Sequence, residues 1–214
     1  METYVIRVWL PDRPGALGAV ASRIGAVRGD VVGIEILETG GGQAVDELVV
    51  RLPQAQLVEL LVVEVEQVDG ARVEEVRPVP GGEHDPGLAA LELAARLVDS
   101  TTREAVEDLA RHVVASLGAV WVAALDPDAG DDARVVAIGP VPTARWLAAY
   151  VEGQRASIEG HRAAVDHDVT SVYLPSSGLA LVLGREGRPF RSRERRQVIA
   201  LARIADTRSQ QAVG

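Results

Sequence analysis

The chain has 214 residues, a formal net charge of −9, no cysteine, and 22 basic residues that are all arginine. Disulfides, thiol nucleophiles and thiolate metal sites are excluded, and without lysine so are Schiff bases, covalently held pyridoxal phosphate and a Walker phosphate loop. Hydrophobic residues make up 47% of the chain, enough for packed cores in one large or two small domains.

The first element is Tyr4 to Leu10, a strand-like run of β-branched and aromatic residues. Asp12-Arg13-Pro14-Gly15-Ala16-Leu17-Gly18 follows as a tight polar loop. Leu17, Val20, Ile24 and Val27 then recur at helical spacing, with Ala21 on the same face. Pro14 presets φ for a helix start, and Gly15 lets the backbone pass close to whatever occupies the loop. The free N–H groups of such a helix start point into the loop and suit a small anion, including an amino acid's carboxylate.

Asp30 to Glu38 alternates, which predicts Val32, Ile34 and Ile36 on one inward face. Gly40-Gly41-Gly42 predicts a hairpin turn, and Val45 to Leu52 returns with Leu48, Val50 and Leu52 inward. Pro53 opens a helical stretch with Leu57, Leu60, Leu61, Val65 and Val68 on one face. Asp69-Gly70 ends it, and Ala71 to Val79 reads as a last strand. The order β-α-β-β-α-β is the split βαβ of ferredoxin-like folds. On the opposite sheet face Val5, Arg7, Trp9, Glu35, Leu37, Val49 and Arg51 form a half-apolar patch, which predicts a covering subunit or domain.

The loop and helix D-R-P-G-A-L-G-A-V-A-S-R-I-G, together with this element order, resemble the ACT domain over residues 3–79. Asp12, Pro14, Gly15, Leu17, Val20 and Ile24 fill the family's pattern of an acid or amide, x-P-G-x-L and helically spaced apolar residues. The resemblance implies amino-acid binding where two copies meet. Asp12 would face the ligand amine, with Arg13 and Pro14 in the same loop, and the amides of Gly15, Ala16 and Leu17 would face its carboxylate. Val31, Val32 and Gly33 would lie near the ligand side chain. No cofactor is implied.

Residues 80–87 read as a linker rich in Gly and Pro, and no second D-x-P-G-x-L follows it. Beyond it, Leu88, Leu91, Ala95 and Val98 predict a helical stripe. Thr101 and Glu104 predict a capping box for a helix that buries Val106, Leu109, Val113 and Leu117 and stops at Gly118. Strands are predicted over residues 119–125, 133–138, 169–174 and 179–184. A stretch from Pro142 carries Trp146, Leu147, Tyr150 and Val151, and a closing helix from Ser192 carries Val198, Leu201, Ala202 and Ala205. This order, with G-R-E-G-R-P-F-R-S-R-E-R-R before the closing helix, resembles a GAF domain over residues 88–208, followed by a short tail from residue 210. The region between Gly139 and Asp168 is short for that family, and no cyclic-nucleotide signature is present. The fold class expected for the whole chain is α+β: a ferredoxin-like ACT domain, residues 1–79, and a second α+β domain with an antiparallel sheet, residues 88–209.

Candidate chemistry is sparse. His161, His167 and Asp168 could ligate a metal, but their spacing matches no ligand motif and an acidic loop is preferred. Ser176-Ser177-Gly178 reads as a hairpin turn, with no base placed for a nucleophile. Arginines 185, 188, 191, 193, 195 and 196 raise a nucleic-acid reading. The preferred one is a solvated face pairing with acids elsewhere, since only Phe190 interleaves and residues 1–183 carry 14 arginines against 28 acids. No apolar run nears the ~18 residues that span a bilayer, and no signal-peptide pattern opens the chain. The expectation is a non-enzymatic, cytoplasmic regulatory protein. It would bind an amino acid or similar small molecule as a dimer or larger homo-oligomer, without nucleic-acid or membrane partners. A ligand-free interaction module is the alternative.

Overall fold

A computed structural model of the chain describes residues 1–81, 84–130, 134–159 and 168–211, the last four of each helix at 156–159 and 208–211 by backbone alone. The chain divides into two units, Met1–Asp85 and Pro86–Gly214.

In the first unit β1 (Glu2–Pro11), α1 (Ala16–Ala26), β2 (Asp30–Gly40), β3 (Gln43–Leu52), α2 (Val58–Glu66) and β4 (Arg72–Pro78) follow in order, with a 3-10 turn, Ala55–Leu57, leading into α2. The strands form an antiparallel sheet in the order β2-β3-β1-β4. This is the ferredoxin-like arrangement read from the sequence. Both helices lie on one face: Val20, Ile24, Leu61 and Val65 pack with Ile6, Val8, Leu10, Leu48, Val50 and Leu52 into one core. Each such side chain removed from water contributes about 1.5–3 kcal/mol. Leu60, at the margin of the α2 stripe, stays 46% exposed.

Strand β2 departs from simple alternation. Its register against β3 shifts twice, between Val31 and Gly33 and between Ile36 and Glu38. Val31 therefore packs against the core, while Val32, Ile34 and Ile36, expected inward, are 40%, 49% and 53% exposed. Ile34 stands across from core residue Leu48 and so shares its face. At the sheet edge that face is beyond the cover of the two helices. A bulge adds one residue and flips the parity of everything after it, and no feature of the sequence marks these two.

On the opposite sheet face Val5, Leu37 and Val49 are buried, and so are Arg7 and Glu47. Arg7 and Glu47 are cross-strand partners joined by a hydrogen bond of 2.9 Å. Arg77 Nη2 and His84 Nε2 each lie 3.4 Å from the other Glu47 oxygen. Burial raises the Glu47 carboxyl, but the His84 hydrogen bond, Arg7 and Arg77 outweigh it and hold the group at about 2. Trp9 is tied to this face by an indole N–H bond to Glu74, 3.1 Å long.

The second unit contains α3 (Pro86–Asp99), α4 (Thr102–Leu117), β5 (Trp121–Leu125), β6 (Arg134–Ile138), α5 (Ala144–Glu159), β7 (Val169–Leu174), β8 (Leu179–Gly184) and α6 (Ser192–Gln211). Its antiparallel sheet has the order β6-β5-β8-β7. One face packs Val122, Ala124, Leu181 and Leu183 against α3, α4 and α6. The other packs Ala123, Leu125, Ala180 and Val182 against Leu147 and Val151 of α5. The Thr101–Glu104 capping box is formed, and Gly118 ends α4 at φ 65°. Helix α3, which takes in Pro86 and Gly87, turns the other way from the expected stripe. Leu93 and Leu97 are fully buried with Ala90 and Ala94 beside them, whereas Leu88, Leu91, Ala95 and Val98 face solvent. Both stripes have helical spacing, and only packing against α4 and α6 selects between them.

Candidate functional site

The loop between β1 and α1 is built mainly by backbone. The Asp12 amide donates to the Gly42 carbonyl at 3.0 Å, which continues the β1–β3 ladder by one step beyond Pro11. The Arg13 amide turns back to the Pro11 carbonyl at 2.8 Å. Gly15 is the N-cap of α1 in the left-handed region, φ 88°. A Cβ at Gly15 would meet nothing within 4 Å, so it is the dihedral and not the space that requires glycine. No side chain caps α1 and no acid stands in its first turn. Helix geometry leaves the amides of Leu17 and Gly18 at that open end, at the positive pole of the helix dipole.

Of the residues expected here, Asp12, Arg13 and Pro14 are exposed, Ala16 is buried and Leu17 is half-buried against the core. Arg13 lies 3.6 Å from Asp69, but both side chains are in solvent, and such a pair contributes little. Val31, Val32 and Gly33 are not at this end of the unit. The register sets Val31 across from Val50, and Val50 across from Tyr4. Tyr4 is seven positions before Pro11, where the loop leaves the sheet. At the usual rise of a strand that is roughly 23 Å. One chain therefore holds the two groups of candidate residues at opposite ends of its sheet.

Asp46 is a buried carboxylate that the strand reading passed over. It shares the inward parity of Leu48, Val50 and Leu52, and that parity was the available signal. It stands across from Val8 on one side and Ile36 on the other, is only 4% exposed, and its Oδ1 has no hydrogen-bond partner among the described residues. Burial, followed by the negative charge of Asp12, pushes its carboxyl above the usual range.

In the second unit the candidate groups are absorbed by the fold. Asp206 accepts hydrogen bonds from the amides of Ser176 and Ser177 and from the Ser177 hydroxyl, each 2.9 Å long, so the serine turn is clamped to α6. Of the C-terminal arginines, Arg185 and Arg191 are buried, which corrects the expected solvated face. Arg185 donates to Glu194 and to the carbonyls of Leu117, Arg188 and Pro189, and its guanidinium lies 4.2 Å from the Phe190 ring. Arg195 donates to the Phe190 carbonyl. His112 sits between Ser116 and Gln197, and burial, with Arg96, lowers its pKa. His161 and His167 lie outside the described residues. Asp168 accepts from the Gly187 amide at 2.8 Å. Among the described residues no three His, Cys, Asp or Glu side chains are grouped to hold a metal, and no helix is long and apolar enough to cross a membrane.

Neither a family model nor a curated protein matches this chain. Solved structures do. The ACT domain from GTP pyrophosphokinase of Chlorobium tepidum is similar at 16% identity and a TM-score of 0.30, over 37% of this chain and 100% of that one. An ACT domain protein from Streptococcus pneumoniae is similar at 16% identity and a TM-score of 0.32, over 39% and 97%. An unknown protein from Galdieria sulphuraria is similar at 14% identity and a TM-score of 0.34, over 99% and 92%.

Proposed function

We propose that this protein is a non-enzymatic regulatory sensor. Its first unit would act as an ACT-type module binding an amino acid or similar small molecule between two copies, and its second, GAF-like unit would respond to occupancy. The observation that carries this reading is the separation of the loop from Val31–Gly33 within one chain. Two copies joined antiparallel along β2 would bring the partner's start of β2 alongside each loop, because β1 and β2 run in the same direction. β2 is an edge strand of its sheet and carries the exposed Val32, Ile34 and Ile36, a combination that natural sheets usually protect or pair. A ligand bound across that seam stabilises the paired arrangement and thereby shifts the population of the whole protein.

The test is a thermal-shift screen of the purified chain against the twenty common amino acids at millimolar concentration, with molar mass measured by light scattering. A ligand that binds only the native state adds about 2.7 kcal/mol at a hundredfold excess over Kd. The expected result is a dimer whose melting temperature rises with one chemical group of amino acids. Ile34→Arg is expected to yield a monomer without that response. A monomeric wild type, or a response that survives in monomeric Ile34→Arg, would reject the seam. A dimer that responds to none of the twenty would favour the interaction-module alternative.

A further inference from the structure

The connector between β4 and α3 does not leave the first unit at the end of its sheet. The Val79 amide donates to the Thr3 carbonyl at 2.8 Å, one step beyond the β1–β4 ladder. Gly81 then turns in the left-handed region, φ 84°. His84 lies back over the sheet, its Nε2 3.4 Å from Glu47 Oε1 and its side chain only 13% exposed. Glu47 stands across from Arg7, four positions along β1 from Thr3, so the connector has come back roughly 13 Å over the open face. The charges it meets there are unevenly matched. Glu35 of β2 stands directly across from Glu47, a like-charge pairing that destabilises a sheet. Glu74 lies 4.0 Å from Arg7, and Glu75 stands across from Arg7 on β4. The arginines are Arg7 and Arg77, 2.9 and 3.4 Å from Glu47, and the connector itself adds Asp85 beside His84. Among these described residues carboxylates outnumber guanidiniums around Glu47, so a further positive charge is favoured there.

We propose that His84 is a proton-operated clip: protonated, it fastens the connector to Glu47 on the open face of the sheet, and deprotonated, it lets the connector lift away. An imidazole is the one side chain that ordinarily changes charge between about pH 5 and 8. As an imidazolium it is a charged donor to a carboxylate, and such bonds are roughly twice as strong as neutral ones. The contact is mostly out of water, so salt screens it little. Glu47 does not compete for the proton, because its carboxyl is held at about 2 and stays ionised through that range. Helix α3 begins at Pro86, two residues after His84, so the clip sets the length of chain free to move ahead of that helix. The inference needs no ligand and stands apart from the sensor reading.

The chain has no cysteine, so Pro80→Cys, at an exposed connector position, gives a single attachment point for a nitroxide label. Its mobility is read by electron paramagnetic resonance on the full chain at about pH 5.5 and about pH 8, either side of the imidazole range. Circular dichroism at both checks that the fold is intact. The expected result is an ordered label at the lower pH and a ratio of mobile to ordered label that rises roughly tenfold at the higher one. His84→Gln keeps a neutral N–H donor that cannot titrate, and is expected to abolish the pH dependence. His84→Ala is expected to leave the label mobile at both. A mobility that does not change with pH overturns the inference. So does a change of equal size in His84→Gln, which would assign the response to another group. A label as ordered in His84→Ala as in the chain with His84, at the lower pH, overturns it as well, because something else then holds the connector. Amide hydrogen exchange of the connector repeats the test without the label: equal exchange in wild type and His84→Gln at the lower pH overturns the inference.

Discussion

Arg185 and Glu194 form a two-point ion pair entirely out of water. Nη1 donates to Oε1 at 2.9 Å and Nη2 to Oε2 at 2.6 Å, with the side chains 0% and 3% exposed. The pair joins the residue that follows β8 to the first turn of α6, and the same guanidinium takes the Leu117 carbonyl at the end of α4. One side chain thus ties three elements of the second unit together.

Breaking that pair from one side leaves a charge buried without its counter-ion, which costs about 3–5 kcal/mol. Glu194→Leu and Arg185→Met are each expected to lower stability on that scale in urea unfolding of the full chain. The double variant Arg185→Met/Glu194→Leu is expected to recover a good part of the loss, because neither charge is then left alone. Additive losses in the double variant would show that the two side chains do not act as a pair.

Glu47 makes stability depend on acid pH, and the sign follows from its held-down carboxyl. Its ordinary value is 4.5 and its folded value about 2. The folded state therefore favours the ionised form, and that contribution is fully present above about pH 5. It is lost as pH falls through 4.5 toward 2. Glu47→Gln is expected to be less stable than the wild type at neutral pH, and the difference should shrink through this window. A difference that stays constant from pH 7 to pH 3 would remove Glu47 from the acid response.

Gly184 carries Trp121. A Cβ there would fall 2.3 Å from the indole ring atoms Cε2 and Cζ2, and Trp121 stands across from Gly184 in the β5–β8 ladder. Trp121 in turn meets Trp146 edge-on at 6.3 Å, and Trp146 stacks on Tyr150 at 5.4 Å. Gly184→Ala is expected to displace the indole, change tryptophan emission and cost about 1–3 kcal/mol. Gly178→Ala in the neighbouring turn meets no atom within 4 Å, so its expected cost is only that of φ +71° and its emission should match the wild type.

The capping box of α4 satisfies the Thr101 and Glu104 amides reciprocally. Thr101→Ala is expected to cost about 1 kcal/mol of stability. Calorimetry or urea unfolding should detect it with no change in far-UV circular dichroism of the native state.

The elements of this fold were legible because their signals are local. Period-two runs, the glycine turn at 40–42, the D-R-P-G loop, the capping box and Gly118 act through neighbouring residues, and β7 and β8 match their predicted limits. The candidate site was legible in part. The Asp12–Leu17 loop forms as a continuous turn into α1, and the burial of Asp46 follows the inward parity it shares with Leu48, Val50 and Leu52. The parity of the strand marks that position as inward, but it does not say whether the carboxyl finds a partner there.

What the sequence alone determined is therefore the α+β class, the element order and the chemistry excluded by the missing cysteine and lysine, all consequences of composition and short-range periodicity. Tertiary structure decided which of two helical stripes α3 buries, that Ile34 and Ile36 of edge strand β2 lie beyond the cover of the helices, and that Arg185 is enclosed by Glu194 and three carbonyls and so does not face solvent. These outcomes depend on which distant surfaces meet. Burial and electrostatic pairing belong to the assembled environment, not to the residue that experiences them.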